Sequence, residues 1–105
     1  MFKVYRTNEF ERLMNKLLTK EEEKRIGKIE SEISEKGFTG KPLGYNFLRE
    51  KRINGKREYF LVYEEFNSAL MVSISDKKTQ QETIDKIEEY LSEFKRLMKE
   101  LTKAT

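Results

Sequence analysis

Two short stretches carry side chains able to act on a phosphate: Arg49, Lys51, Arg52, Lys56 and Arg57 around an Asn54-Gly55 pair, and Lys77 with Lys78 further on. Guanidinium and ammonium groups pair with phosphate oxygens and stabilise charge that grows on them during transfer or cleavage. Between Lys36 and Arg57 seven Lys/Arg stand against one acid, Glu50, a local charge of +6 in a chain whose net charge is +3. The rest of the chain is therefore acidic on balance, and the basic stretch is a patch. A confined basic patch is the electrostatic footprint of a polyanionic partner.

What is missing narrows the chemistry further. The 105 residues contain neither Cys nor His. Disulfides, thiolate nucleophiles, the usual zinc sites and imidazole general bases are all excluded. Asp76 and Asp85 are the only aspartates, and their separation suggests no carboxylate-bound magnesium, so neither metal nor cofactor is expected. No apolar run approaches the length needed to span a bilayer, and Met1-Phe-Lys-Val-Tyr-Arg6 lacks the apolar core of a signal peptide. The expectation is a cytoplasmic protein that makes no membrane contact. The length suits one domain, residues 1–105, with one modest core.

The elements that must position these cations can be read from periodicity. Phe2 to Arg6 alternates as a short strand. Asn8 and Glu11 have capping-box spacing, and Phe10, Leu13, Met14, Leu17 and Leu18 form a helical core stripe. Thr19 and Glu22 open a second helix that turns Ile26, Ile29 and Ile33 inward, and Gly37 ends it. Phe38 to Gly44 is a loop; its glycines precede a strand and no Gly-Lys-Ser/Thr follows, so it is not a phosphate loop. Tyr45 to Ile53 and Lys56 to Phe66 are strands around Asn54-Gly55, the strongest two-residue hairpin signal. Asn67-Ser68 turns the chain into a strand from Ala69 to Ser75. Thr79 and Glu82 cap a last helix with Ile84, Ile87, Leu91, Phe94, Met98 and Leu101 on one stripe.

With Asn54 and Gly55 as the loop, Ile53 pairs with Lys56, Arg52 with Arg57, Lys51 with Glu58, and Arg49 with Phe60. Directly opposed residues share a face. One face then holds Leu48, Tyr59, Leu61 and Tyr63, the expected seat of the helices. The other holds Phe47, Arg49, Lys51, Phe60 and Val62, expected to be open and to place cations beside an aromatic ring. The predicted architecture is α+β, ordered β-α-α-β-β-β-α, an antiparallel sheet with a helical hairpin on one face and a C-terminal helix.

This order, with Leu48-Arg-Glu-Lys-Arg-Ile53, Tyr59-Phe-Leu-Val-Tyr63 and Lys77-Lys-Thr-Gln80 on it, resembles the RelE/ParE toxin superfamily, and within it the HigB-like branch. The three motifs are similar to that family's Leu-x-Glu-Leu-Arg-Ile, Tyr-Arg-x-x-Tyr and Phe-x-Lys-Lys-Thr-Gln, and the likeness covers roughly residues 1–90. It implies the toxin of a type II toxin-antitoxin pair, a ribosome-dependent mRNA endonuclease that would meet a cognate antitoxin, the ribosome and mRNA; the ParE branch instead poisons DNA gyrase. Carried over by position, it implies Lys51, Arg52 and Lys78 as catalytic and Arg49, Lys56, Arg57 and Lys77 as nucleic-acid-binding. The pattern is departed from in two places: Phe60 stands where the family has an arginine, and Thr83 and Ile84 stand near the last helix where many members have a histidine or tyrosine.

Cleavage without histidine needs a lysine or tyrosine to take the 2′-hydroxyl proton and arginines to hold the phosphate. Lys51, with Lys56, Arg49 and Arg52 about it, is expected to meet like charges that ease the release of its proton. The competing reading is a catalytically inactive RelE-fold protein that binds nucleic acid or a partner, its strand lysines serving to keep a sheet edge from aggregating. The stripe from Phe94 to Leu101 extends beyond the family's usual end, and antitoxin binding, homodimerisation or packing on the sheet would each cover it.

Overall fold

The computed structural model describes residues 1–103. A first strand, β1 (Lys3–Arg6), leads into α1 (Asn8–Leu17) and α2 (Lys20–Lys36). A two-residue strand β2 (Lys41–Pro42) follows, then β3 (Leu48–Ile53), β4 (Lys56–Tyr63), a 3-10 turn at Glu64–Phe66, β5 (Ser68–Ser75), α3 (Gln80–Glu89) and α4 (Leu91–Thr102). The strands form one sheet in the order β1-β5-β4-β3-β2. β1 runs parallel to β5 and the other pairs are antiparallel, so the sheet is mixed rather than wholly antiparallel as expected.

Local chemistry explains most boundaries. Thr7, one residue before the expected cap, is the N-cap of α1, and its hydroxyl accepts the Phe10 N–H at 3.0 Å. Thr19 and Glu22 make the reciprocal capping box that starts α2. Gly37 closes that helix at φ 68°, a conformation that side chains disfavour, with the Phe2 ring packed where a Cβ would stand. Asn54, at φ 51°, makes the tight turn between β3 and β4.

Helices cover both faces of the sheet. α1 and α2 bury Phe10, Met14, Ile26 and Ile33 against Phe60, Val62, Met71 and Ile74. α3 and α4 bury Ile87 and Met98 against Leu48, Tyr59, Leu61 and Leu70. The hairpin register is the predicted one, residue for residue, but the two faces exchange roles: the Phe60 face receives the helical hairpin and is not open, and Phe60 is fully buried. The physical reason lies in Tyr59-Phe-Leu-Val-Tyr63. This run is apolar on both sides, as in strands buried on both faces, and alternation alone could not say which helices lie where.

The predicted single last helix is two helices that meet at Tyr90, whose φ of −106° and ψ of 17° interrupt the turn. The bend keeps α4 on the sheet, where Met98 is fully buried and Leu91 and Phe94 pack against the same cluster. Most of the C-terminal stripe is thus used within the chain, while Leu97 and Leu101 remain exposed. Among the described residues no helix is long and apolar enough to cross a membrane.

Candidate nucleic-acid interface

Strand alternation divides the expected basic patch between two faces. Arg49, Lys51 and Lys56 point toward α2 and the loop before β3. Arg52 and Arg57, an opposed pair, point toward α3.

On the α2 side each cation already has anionic or carbonyl partners. Arg49 is buried, and its guanidinium donates to Thr39 O at 2.8 Å, Gly40 O at 2.9 Å, Asn46 O at 3.1 Å and Asn46 Oδ1 at 3.0 Å. It lies over the Phe38 ring at 5.9 Å. A planar fork spent on four acceptors fastens the 38–46 loop and has little left for a ligand. Lys51 is ion-paired with Glu32, which also accepts the Thr39 hydroxyl at 2.9 Å. Lys56 reaches Glu22 Oε1 at 2.8 Å, and Glu22 also accepts the Asn54 side-chain amide at 2.8 Å and the Thr19 N–H at 2.9 Å. The Lys56 contact foremost, then those from Thr19 and Asn54, hold the Glu22 carboxyl down at about 2.

Beneath the same helix lies Glu58, which sequence reasoning passed over. It is fully buried and neither carboxyl oxygen has a hydrogen-bond partner. Burial pushes its carboxyl up to about 8, with the nearby Glu22 adding to the shift. At neutral pH Glu58 is therefore mostly protonated. Its signal was its pairing opposite Lys51 on the face that also holds Phe60.

The α3 side is organised differently. Glu50, 2 % exposed, accepts the Gln80 side-chain amide at 3.0 Å. Its two oxygens lie 3.6 Å from Arg52 Nε and 3.7 Å from Arg57 Nε. Arg57 is buried and its Nη1 donates to Gly55 O at 3.3 Å, whereas its Nε has no hydrogen-bond partner. The Arg52 side chain is 58 % exposed. Beside this cluster the Ser75 hydroxyl donates to Asp76 O at 3.0 Å, which leaves the Tyr59 O–H to donate to Ser75 Oγ at 2.7 Å. Lys77 and Lys78 follow on the exposed turn, which Asp76 shapes by accepting the Thr79 N–H at 2.9 Å and the Thr79 hydroxyl at 3.0 Å. The Thr79 side chain makes no cap bond to α3. Gln80, the last residue of Lys-Lys-Thr-Gln, thus ties that motif to the Glu50 of Leu-Arg-Glu-Lys-Arg-Ile. Alternation already placed Glu50 and Arg52 on one face; the contact from Gln80 is tertiary and had no sequence signal.

This arrangement can hold a phosphate through Arg52 and the two lysines. It has no phenolic base at neutral pH. Burial raises both the Tyr59 and Tyr63 phenols, Tyr63 to about 12, and keeps them protonated.

No protein-family model matches the chain, and no curated protein matches it. Solved structures do. The chain superposes on RelE of Escherichia coli in the intact RelBE toxin-antitoxin complex with a TM-score of 0.64 at 14 % identity, covering 72 % of this chain and 96 % of that one. The fold is that of RelE. An E. coli RelE mutant in complex with a peptide of the antitoxin RelB gives a TM-score of 0.64 at 13 % identity, covering 78 % of this chain and 93 % of that one. The isolated E. coli RelE toxin gives 0.63 at 14 % identity, with coverage of 83 % and 99 %. Identity this low carries the RelE fold across, and with it the expected α+β class; the HigB-like assignment is finer than this likeness reaches.

Proposed function

We propose that this protein is a toxin of a toxin-antitoxin pair that cleaves mRNA on the ribosome, and that Arg52 and Lys78, supported by Lys77 and Arg57, contact the scissile phosphate. The observation that carries the reading is the α3-side cluster, where exposed Arg52 stands beside the buried Glu50–Arg57 pair while the Lys-Lys-Thr-Gln turn brings two exposed lysines to the N-terminal end of α3. The RelE fold of the chain supports the same class, and E. coli RelE is seen bound to RelB, which supports an antitoxin partner here. In this reading Arg49 is a structural clamp, and Lys51 and Lys56 fasten α2 to the hairpin instead of contacting RNA or serving as base.

Inducible expression in a bacterial host tests it. Growth should arrest with cuts inside translated mRNA, and Arg52→Ala or Lys78→Ala should relieve arrest and reduce cleavage at least about tenfold, the scale of one lost charge-assisted phosphate contact. Normal growth and intact transcripts at high levels of folded protein would overturn the proposal. A second reading, a non-cleaving nucleic-acid-binding protein of this fold, is favoured by one observation: Phe60, at the family's arginine position, is a fully buried core residue. It predicts RNA binding without product.

A further inference from the structure

A groove of about 730 Å³ runs between α1 and α3, with the last residues of β5 along its floor. Its origin lies in unequal strand lengths. β1 has four residues and pairs with β5 only as far as Arg6 beside Met71, but β5 continues to Ser75. Thr7 extends the contact slightly, its N–H donating to Met71 O at 3.0 Å and its hydroxyl lying 3.4 Å from Val72 O, and the chain then departs as α1. Ser73, Ile74 and Ser75 consequently pair with β4 on one side and, among the described residues, meet no strand on the other.

The walls say what would lie there. Leu13 and Leu17 of α1 face the groove from one side, and Ile87 of α3 with Phe94 of α4 from the other. Both walls thus present apolar side chains. The rims carry both signs, Glu9 and Lys16 on α1 with Glu82 and Lys86 on α3, which suits a polypeptide and not a polyanion. A floor of strand edge that no strand of the chain covers fits an added strand, whose backbone would pair with it at about 4.8 Å, better than a helix, whose own backbone groups are already paired.

We propose that this groove binds an extended segment of a partner protein, which adds as a strand beside Ser73–Ser75. Both of its faces would be buried, one under α1 and one under α3, so the segment should be a run of four or more apolar, mainly β-branched residues without proline. The inference rests on the groove alone and holds whether or not the protein cleaves RNA.

Selection of a random dodecapeptide phage library on the folded protein tests it. The selected peptides should share such a run, and synthetic copies should bind with new hydrogen-exchange protection at those amides of Ser73 to Ser75 that point away from β4. N-methylation of alternate amides in the run should weaken binding at least tenfold. Thr83→Trp, which fills the groove from a half-exposed position, should do likewise, with Lys86→Trp at an exposed rim position as a second blocker should the first fail to fold. No enrichment of peptides that Thr83→Trp or Lys86→Trp displaces would overturn the proposal. So would selected sequences with helical spacing of their apolar residues, or binding indifferent to N-methylation.

Discussion

Glu58 and Glu22 titrate in opposite senses a short distance apart, and stability against pH should show it. Glu58 has a folded value of about 8 against an ordinary 4.5. Below pH 4.5 both folded and unfolded chains carry its proton; between 4.5 and 8 only the folded chain does, so stability falls as pH rises through that window, by about 5 kcal/mol in all. Glu22, held at about 2, has the other sign: its contribution is present above pH 4.5 and is lost as pH falls toward 2. Denaturant unfolding as a function of pH should therefore give greatest stability near pH 4 to 5. Glu58→Gln should flatten the alkaline side and raise stability at pH 8; a variant that still loses stability steeply from pH 5 to 8 would show that another group is responsible. Arg49 gives a second test at this scale. Arg49→Lys keeps the charge but not the fork that holds Thr39, Gly40 and Asn46, and should cost about 2 kcal/mol while leaving RNA affinity unchanged.

Among the elements, β4 decides the architecture. Its neighbours and register were legible because Asn54-Gly55 admits few alternatives and each pair outward follows from the turn. Which helices cover which face was not legible, since Phe60 and Val62 on one side are as apolar as Leu61 and Tyr63 on the other. The break at Tyr90 was hidden for a related reason: the stripe from Ile84 to Leu101 keeps helical spacing across it, and no glycine or proline marks the bend. The parallel β1–β5 pair is a long-range contact that no local pattern announces. The face assignment predicts that Phe60→Arg, which places a guanidinium among Phe10, Ile26 and Met71, costs several kcal/mol or prevents folding. A melting temperature within a few degrees of the wild type would mean that Phe60 lies on an open surface.

Over the whole molecule, the sequence charge exaggerates the field a nucleic acid would meet. Of the seven cations between Lys36 and Arg57, Arg49 and Arg57 are buried, and Lys36, Lys51 and Lys56 have carboxylate partners. The cations best placed on the α3 side are Arg52, Lys77 and Lys78. Three contacts to single-stranded RNA predict a slope of log affinity against log salt of roughly −2, and loss of Lys77 should reduce it by about 0.7. A slope near −5 would require the α2-side cations to take part as well.

The division of those cations between two faces is the central claim, and cleavage of a translated mRNA in a purified translation reaction, read by primer extension, tests it most directly. The wild type should cut within the ribosome-bound codon, Arg52→Ala and Lys78→Ala should lose at least about tenfold in rate, and Lys51→Ala, which breaks only the tether to Glu32, should cut nearly as fast as the wild type. Loss of cutting in a folded Lys51→Ala with cutting retained in Arg52→Ala would place the chemistry on the other face and contradict the account.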